Sequence, residues 1–287
     1  MSESLSEPLN FFFPPWQGAA RLELYEGAKL LYSLLSDRCP FTKISTPQTY
    51  SLAAAANIFG YSQIHAQLLQ AVQVIQTLQP ERIFTLGGDC GVEIAPVSWL
   101  NQQYGEALTV IWLDAHGDLN TPTSSPSGHF HGMPLRLLLG DGDPDLAQLA
   151  FSTLRAEQVF LVGAREFDRP ESRFIQQQQI STFSAVAMND RQPDELLSAL
   201  HQAGGDKLYI HLDLDVIEPN EFPHVACPTR GGIQIDALAE LVAQLHRHFD
   251  VVGCSLLEFL PSGSHALATS DALRLLKQVN LPLLTGL

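Results

Sequence analysis

One pattern occurs twice between residues 83 and 118: in IFTLGGDCG (83–91) and LTVIWLDAHGD (108–118) a short apolar run is followed within three residues by an aspartate. Short apolar runs rich in β-branched and aromatic residues are typical of strands buried on both faces of a sheet. The chain contains five such runs, and each predicts a strand: Ile83–Leu86, Leu108–Leu113, Val159–Val162, Leu208–Leu212 and Val251–Leu257.

Helical patterns lie between some of these runs. Ser62–Leu78 has apolar residues at three- and four-residue spacing, and Asp194–Ala203 and Asp236–Phe249 follow the same pattern. Alternation of strands and helices predicts an α/β fold with a mainly parallel sheet and helices on both faces. No break in composition divides the chain, so we expect a single domain over residues 1–287.

The composition limits the classes of function. Of the 287 residues, 45% are hydrophobic and 16% charged, which indicates a globular chain with a large core. The formal net charge of −15 argues against nucleic acid and anionic membranes as partners, because both require a basic surface. From the acidic N-terminal stretch MSESLSEPLN we expect no signal peptide, and the four scattered cysteines suit a reduced, cytoplasmic protein.

Four of the predicted strands end in acidic side chains. In open α/β sheets such strand ends carry the functional site, and buried carboxylates that converge there repel one another unless a cation binds. An extended Asp-x-His-x-Asp segment would direct its three side chains to one side. An aspartate at a strand end is often only a turn or cap residue, but three motifs on separate strands favour two divalent metal ions. These motifs contain Asp89, Cys90, Asp114, His116, Asp118, Asp213 and Asp215, and Glu258 ends a fourth strand.

The motifs Gly87-Gly88-Asp89, Asp114-Ala115-His116-x-Asp118 and Asp213-x-Asp215-x-x-Glu218-Pro219 together resemble those of the arginase/agmatinase (ureohydrolase) family in order and spacing. The resemblance implies a three-layer α/β/α fold and a binuclear manganese centre that hydrolyses a guanidinium group to urea. It also implies a homo-oligomer, either a trimer or a hexamer, and a small cationic guanidino substrate.

The resemblance further implies a role for each site residue. It implies metal ligation by six side chains: Asp114 and Asp213 bridging the ions, His116 and Asp215 completing one shell, and Asp118 and Cys90 completing the other. It implies contacts of the guanidinium with Glu258, proton transfer by Asp118 and His131, and recognition of an amino acid's α-carboxylate by Asn120 and Ser127 and of its α-amino group by Asp168 and Glu171. Loop residues of these types also occur as plain turn formers or solvated acids.

Cys90 departs from the family pattern, in which the first motif ends in His. A thiolate is a soft ligand, so Cys90 would shift the preference from Mn²⁺ towards Zn²⁺, Fe²⁺, Co²⁺ or Ni²⁺ if it ligates. Otherwise it leaves that ion weak or absent, acts as a reactive or redox-sensitive thiol, or simply fills buried space. Glu218 in place of Asp, and Cys227 in place of Thr, are smaller departures.

The residues and the resemblance together predict a metal-dependent hydrolase that converts L-arginine to ornithine and urea. The alternatives are an agmatinase, a guanidinobutyrase, a formiminoglutamase, and a catalytically silent family member that acts as a binding subunit. A nucleophilic role for Cys90 is a further alternative. The arginase-like loop around Asn120 and Ser127 favours arginine, because agmatine has no α-carboxylate.

Overall fold

A computed structural model describes residues 8–48, 52–190 and 193–281. The expectation that the N-terminus is not a signal peptide concerns residues 1–7, which lie outside the described residues. The described residues form one eight-stranded sheet in the order β2-β1-β3-β8-β7-β4-β5-β6, and every neighbouring pair is parallel. The strands are β1 (Leu9–Phe13), β2 (Thr42–Lys43), β3 (Ile83–Gly87), β4 (Leu108–Leu113), β5 (Val159–Val162), β6 (Ser181–Phe183), β7 (Lys207–Leu212) and β8 (Asp250–Leu256).

Helices flank this sheet, and three of them match the predicted helices to within a residue at each end. Tyr61–Leu78, Asp194–Ala203 and Ile235–His248 are α2, α8 and α9. The remaining α-helices of the described residues are α1 (Glu23–Leu35), α3 (Ile94–Tyr104), α4 (Pro134–Leu138), α5 (Pro144–Ala147), α6 (Arg169–Gln178), α7 (Ala185–Asn189) and α10 (His265–Val279). None of the helices in the described ranges is long and apolar enough to cross a membrane.

The core lies on both faces of the sheet. Successive residues of a strand point to opposite faces, so Ile111 and Leu113 of β4 join one apolar cluster, and Val110 and Trp112 join the other. Helices α1, α8, α9 and α10 contribute to the first cluster, and α2, α3, α4 and α6 contribute to the second. The structure thus has three layers, and the predicted α/β/α class with a parallel sheet is confirmed.

An ion-pair network lies at the amino ends of the strands, opposite the predicted site. Asp250 accepts a hydrogen bond from Lys207 Nζ at 2.9 Å and lies 2.7 Å from Arg82 Nη2. Burial alone would raise the pKa of Asp250, but the hydrogen bonds from Lys207 and Arg82 outweigh it and hold this pKa below its ordinary value. These contacts join β7 to β8 at their first residues.

Candidate metal centre and substrate pocket

The sheet order explains why motifs far apart in sequence meet. Strands β3, β8, β7 and β4 are adjacent and parallel, so their carboxyl ends lie side by side at one edge. Gly88 follows β3 where the chain passes the Pro15 carbonyl, and a Cβ there would lie only 1.8 Å from that oxygen. Asp89 accepts hydrogen bonds from the backbone N–H groups of Gly18 and Gly91 and so holds this turn in place.

One group of potential ligands consists of Asp114, His116 and Asp215. The His116 ring nitrogen Nδ1 lies 3.4 Å from Asp114 Oδ1 and 3.0 Å from Asp215 Oδ2. The backbone N–H of His116 also donates to Asp114 Oδ1, and that of Ala115 donates to Asp215 Oδ1. These backbone bonds orient both carboxylates towards the same point, as a pair of oxygen ligands requires.

A second group joins Cys90, Asp114 and Asp118 to the imidazole of His211, and all four ligand atoms lie within 4.8 Å of one another. Asp118 is buried and adopts a left-handed backbone conformation with φ of +52°. Its Oδ2 receives no hydrogen bond from any residue that the structure describes. A buried oxygen without a partner is costly, and a bound cation would relieve that cost.

The geometry around Asp114 corrects one sequence expectation. The chain bends after Leu113, so the segment from Asp114 to Asp118 is not extended. Its three polar side chains therefore do not line one side of a strand. Asp114 belongs to both groups, whereas His116 and Asp118 reach different ones. The bridging role that the resemblance implies for Asp114 stays a prediction.

The third group, of Cys90, Asp213 and Glu258, links the metal-ligand residues to the pocket above them. The Cys90 thiol donates to Asp213 Oδ2 at 3.3 Å, and its backbone N–H donates to Glu258 Oε1 at 3.2 Å. Glu258 has a φ of +61°, just after β8 ends. Asp213 groups here with Cys90 and Glu258, and the bridging role that the resemblance implies for it stays a prediction.

Burial and mutual repulsion dominate the electrostatics of the centre. Burial, together with the charge of Asp114, raises the pKa of Asp118 well above its ordinary value, and burial with the charge of Asp215 does the same to Asp213. The pKa of Asp215 is raised to about 6 by burial and by Asp114. Burial acts in the same direction on Asp114, but hydrogen bonds with two imidazoles outweigh it and hold its pKa low. Oxygen, nitrogen and sulfur donors crowded in this way fit divalent cations.

The candidate substrate residues line a cavity of about 190 Å³ above these groups. Asn120 donates to Asp168 Oδ2 at 2.9 Å and accepts a hydrogen bond from Ser124. Ser127 lies on the same cavity wall, where its hydroxyl accepts the backbone N–H of His129. The structure therefore brings together the predicted substrate residues Asn120, Ser127, Asp168, Glu171, His131 and Glu258 around one cavity.

Glu171 has a structural role in the wall of this cavity. Its Oε1 accepts the backbone N–H of Leu119, and its Oε2 accepts that of Asp168 at the start of α6. Burial raises the pKa of Glu171, and these two backbone hydrogen bonds act against that rise. Glu171 thereby fixes Asp168 and the loop that carries Asn120.

His131 lies beside Glu258, with 3.3 Å between its Nδ1 and Glu258 Oε1. Burial would lower the pKa of His131, but the hydrogen bond and charge of Glu258 prevail and raise it. The side chain is 23% exposed, so the imidazole joins a buried carboxylate to solvent. This is the arrangement that a proton relay needs.

Arg165 connects the opposite wall to the sheet. Its guanidinium donates to the backbone carbonyls of Asp215, Thr229 and Arg230, at distances from 2.6 to 3.1 Å. The segment it holds carries Cys227, whose exposed side chain also lines the cavity. Sequence reasoning assigned no role to Arg165 in holding this segment.

Sequence reasoning also missed His211 and Glu93. His211 stands two residues before Asp213 in β7, and the alternation of side chains along a strand places both on the same face. Glu93 is completely buried three residues after Cys90. The presence of a histidine in the mostly apolar run Leu208–Leu212 could have marked His211 as a functional residue. Nothing in the sequence indicates that His211 pairs with Glu93.

Known proteins resemble this chain over most of its length. A sequence profile described as Arginase family matches residues 25–279. The chain is 34% identical over 190 residues to an arginase of Staphylococcus aureus strain MRSA252, an alignment that covers 65% of this chain and 63% of that relative. The structure resembles that of Entamoeba histolytica arginase in complex with L-ornithine, with a TM-score of 0.86, 20% identity, and coverage of 97% and 99% of the two chains. It also resembles formimidoylglutamase from Bacillus subtilis, with a TM-score of 0.71, 17% identity, and coverage of 98% and 90%.

Proposed function

We infer the activity of this chain from the premise that it belongs to the arginase family. We propose that it is a metal-dependent hydrolase that cleaves the guanidinium group of L-arginine to give ornithine and urea. The observation that carries the proposal is the buried cluster of Asp114, Asp118, Asp213 and Asp215 beneath a cavity of about 190 Å³. The aligned segment spans 63% of the curated S. aureus relative, so the activity of the whole relative is carried over here as part of the proposal.

We propose two divalent ions as cofactors. Asp114, His116 and Asp215 offer only oxygen and nitrogen donors, a set that suits Mn²⁺. Asp118 and Cys90 would contribute to the second ion, and Asp213 would bind at the same centre. When bound, the two metal ions would polarise a water molecule for attack on the guanidinium carbon.

The chain's own residues would orient the substrate and move its protons. Glu258 would bind the cationic guanidinium through charge-assisted hydrogen bonds, because its buried carboxylate lies at the base of the cavity. Asp118 would hold the proton released by the attacking water and pass it to the leaving amine. His131, at 3.3 Å from Glu258 and partly exposed, would exchange protons with solvent.

The far end of the cavity supports an amino acid as the substrate. Asn120 and Ser127 would donate hydrogen bonds to the α-carboxylate, and Asp168 would accept one from the α-amino group. Glu171 would keep Asp168 in position through the backbone hydrogen bonds described above. The E. histolytica arginase that this structure resembles was determined with L-ornithine, which is such an amino acid.

A substrate comparison tests the proposal. Chain reconstituted with Mn²⁺, Zn²⁺, Co²⁺ or Fe²⁺ is assayed for urea from L-arginine, agmatine and 4-guanidinobutyrate. We expect the highest kcat/KM for L-arginine, and we expect the Asn120→Ala/Ser127→Ala variant to raise the KM for arginine while leaving agmatine unaffected. Absence of urea from every substrate with every metal would refute the proposal.

Formimino hydrolysis is the second candidate, because the fold also resembles that of formimidoylglutamase. The same assay with N-formimino-L-glutamate, read out as formamide, separates the two activities. We further propose that the chain assembles as a trimer or hexamer, which sedimentation of the purified protein would test.

A further inference from the structure

The buried imidazole of His211 faces the candidate metal centre. His211 lies in β7 with a completely buried side chain, and its ring stacks on Trp112 with 3.6 Å between the ring centroids and 10° between the planes. The ring of this β7 residue thus packs against the neighbouring strand β4. Apolar packing of this kind places an imidazole in the core only when both of its nitrogens find polar partners.

One of these nitrogens is held by Glu93. His211 Nδ1 lies 2.7 Å from Glu93 Oε1, and Glu93 also accepts hydrogen bonds from Tyr209 and Ser255. A carboxylate that accepts the Nδ1 proton fixes the tautomer that leaves the lone pair on Nε2. Glu93 therefore orients His211 so that Nε2 is the ligating atom.

That nitrogen points at the second group of ligands. His211 Nε2 lies 3.8 Å from Cys90 Sγ and 3.6 Å from Asp114 Oδ2. Ligands held at about 2.0–2.3 Å from a tetrahedral ion lie about 3.5 Å from one another, so these separations suit a shared ion. A carboxylate oxygen of Asp118 lies within 4.8 Å of these atoms, and Asp118 Oδ2 has no hydrogen-bond partner among the described residues.

We propose that His211 is a metal ligand, and that Cys90, His211, Asp114 and Asp118 form a four-residue site whose imidazole comes from β7. In the family pattern this imidazole stands at the position of Cys90, and here the two side chains together fill that part of the centre. A set of one thiolate, one imidazole and two carboxylates favours Zn²⁺, Co²⁺ or Fe²⁺ over Mn²⁺. Binding would release the Cys90 thiol proton to solvent.

Metal content of purified variants tests this assignment. After loading with Zn²⁺ and dialysis, we expect two ions per chain in the wild type and one in His211→Gln, with the affinity for the lost ion reduced at least ten-fold. Glu93→Gln should lower the affinity for the same ion by about 10- to 100-fold, because this substitution removes the carboxylate that orients the imidazole. His224→Gln is the matched control, since His224 is equally buried and hydrogen-bonded to Asp271 but lies elsewhere.

Spectroscopy of the metal-loaded protein is a second test, because it identifies the ligand atoms directly. With one equivalent of Zn²⁺ under conditions that fill the tighter site, X-ray absorption should detect one sulfur at about 2.3 Å together with imidazole scattering. Co²⁺-loaded protein should show a thiolate charge-transfer band that Cys90→Ser abolishes. Two tightly bound ions in His211→Gln, or a sulfur-ligated ion without imidazole scattering, would overturn the assignment.

The inference rests on the proposed function only through the need for a metal pair. If the wild type binds two ions and His211→Gln loses one, yet no guanidino or formimino compound is hydrolysed, the activity is refuted and the ligand assignment stands. If urea is released and His211→Gln binds both ions as tightly as the wild type, the assignment is refuted and the activity stands.

Discussion

Replacing Asp118 by Asn should stabilise the metal-free protein and weaken the metal-loaded one. Asp118 is 4% exposed, and its Oδ2 has no hydrogen-bond donor among the described residues. Its neighbours include Asp114, so the buried charge is repelled as well as desolvated. An amide of the same shape removes that charge and can donate to the adjacent carboxylates.

The magnitude follows from the cost of one unsatisfied buried polar group, which is about 1–3 kcal/mol. In EDTA we therefore expect the free energy of unfolding of Asp118→Asn to exceed that of the wild type by about this amount. A saturating divalent ion at about 1,000 times its Kd adds about 4 kcal/mol to a protein that binds it only when folded. With metal present, the wild type should regain the advantage, because the amide is a poorer ligand than the carboxylate.

Thermal unfolding by circular dichroism in EDTA and in excess metal measures both differences, at about 2 °C per kcal/mol for a chain of this size. Asp143→Asn is the matched control: Asp143 is also buried, but it accepts hydrogen bonds from Tyr61 and from the backbone of Leu146. That control should lose stability in both buffers. A metal-free Asp118→Asn that is less stable than the wild type would refute the reasoning.

Three further predictions concern the protein carboxylate that would bind the guanidinium, the pH dependence of one ion pair, and the hydrogen bonds of Arg165 to the backbone. Glu258→Gln should lower kcat/KM for L-arginine by about 100-fold or more, since loss of a buried charge partner costs about 3–5 kcal/mol; an unchanged kcat/KM would remove Glu258 from substrate binding. Because the pKa of Asp250 is lowered in the folded state, its stabilisation by Lys207 is present above the unfolded pKa of about 4 and disappears as the pH falls through the folded value. The melting-temperature deficit of Asp250→Asn should accordingly shrink on acidification from pH 7 to pH 3, and a constant deficit would contradict this. Arg165→Met should lower the free energy of unfolding by about 2–4 kcal/mol, because it leaves several backbone carbonyls without their charged donor. As a control, replacement of the exposed Arg247 by Met should change it by less than about 1 kcal/mol. Equal losses in the two variants would argue against a stabilising role for the hydrogen bonds of Arg165 to the backbone.

The central strands were predictable because each is a continuous apolar run followed by a change to polar residues. Leu108–Leu113 and Val159–Val162 were predicted with the observed bounds. Strands β2 and β6, with two and three residues, are too short to show any periodicity, and they form because neighbouring strands supply their hydrogen-bond partners. The strand at Leu9–Phe13 was also missed.

The candidate site was predictable to the extent that its residues follow strand ends directly. Asp114, Asp213 and Glu258 follow β4, β7 and β8, and a parallel sheet necessarily gathers them at one edge. The sequence did not predict which of these residues belong to the same ligand group. That grouping depends on the bend after Leu113 and on the positive φ of Asp118, which the local sequence does not reveal.

The sequence by itself determined the layered α/β architecture, the family and the acidic strand ends, because apolar periodicity and motif spacing are local properties of the chain. The tertiary structure alone decided which imidazole faces Cys90. His211 and Glu93 are 118 positions apart, and they meet only because β7 lies beside β8 and close to the turn that follows β3. The orientation of a buried ring is set by the groups that pack against it and accept its proton, and in this protein those groups come from distant parts of the chain.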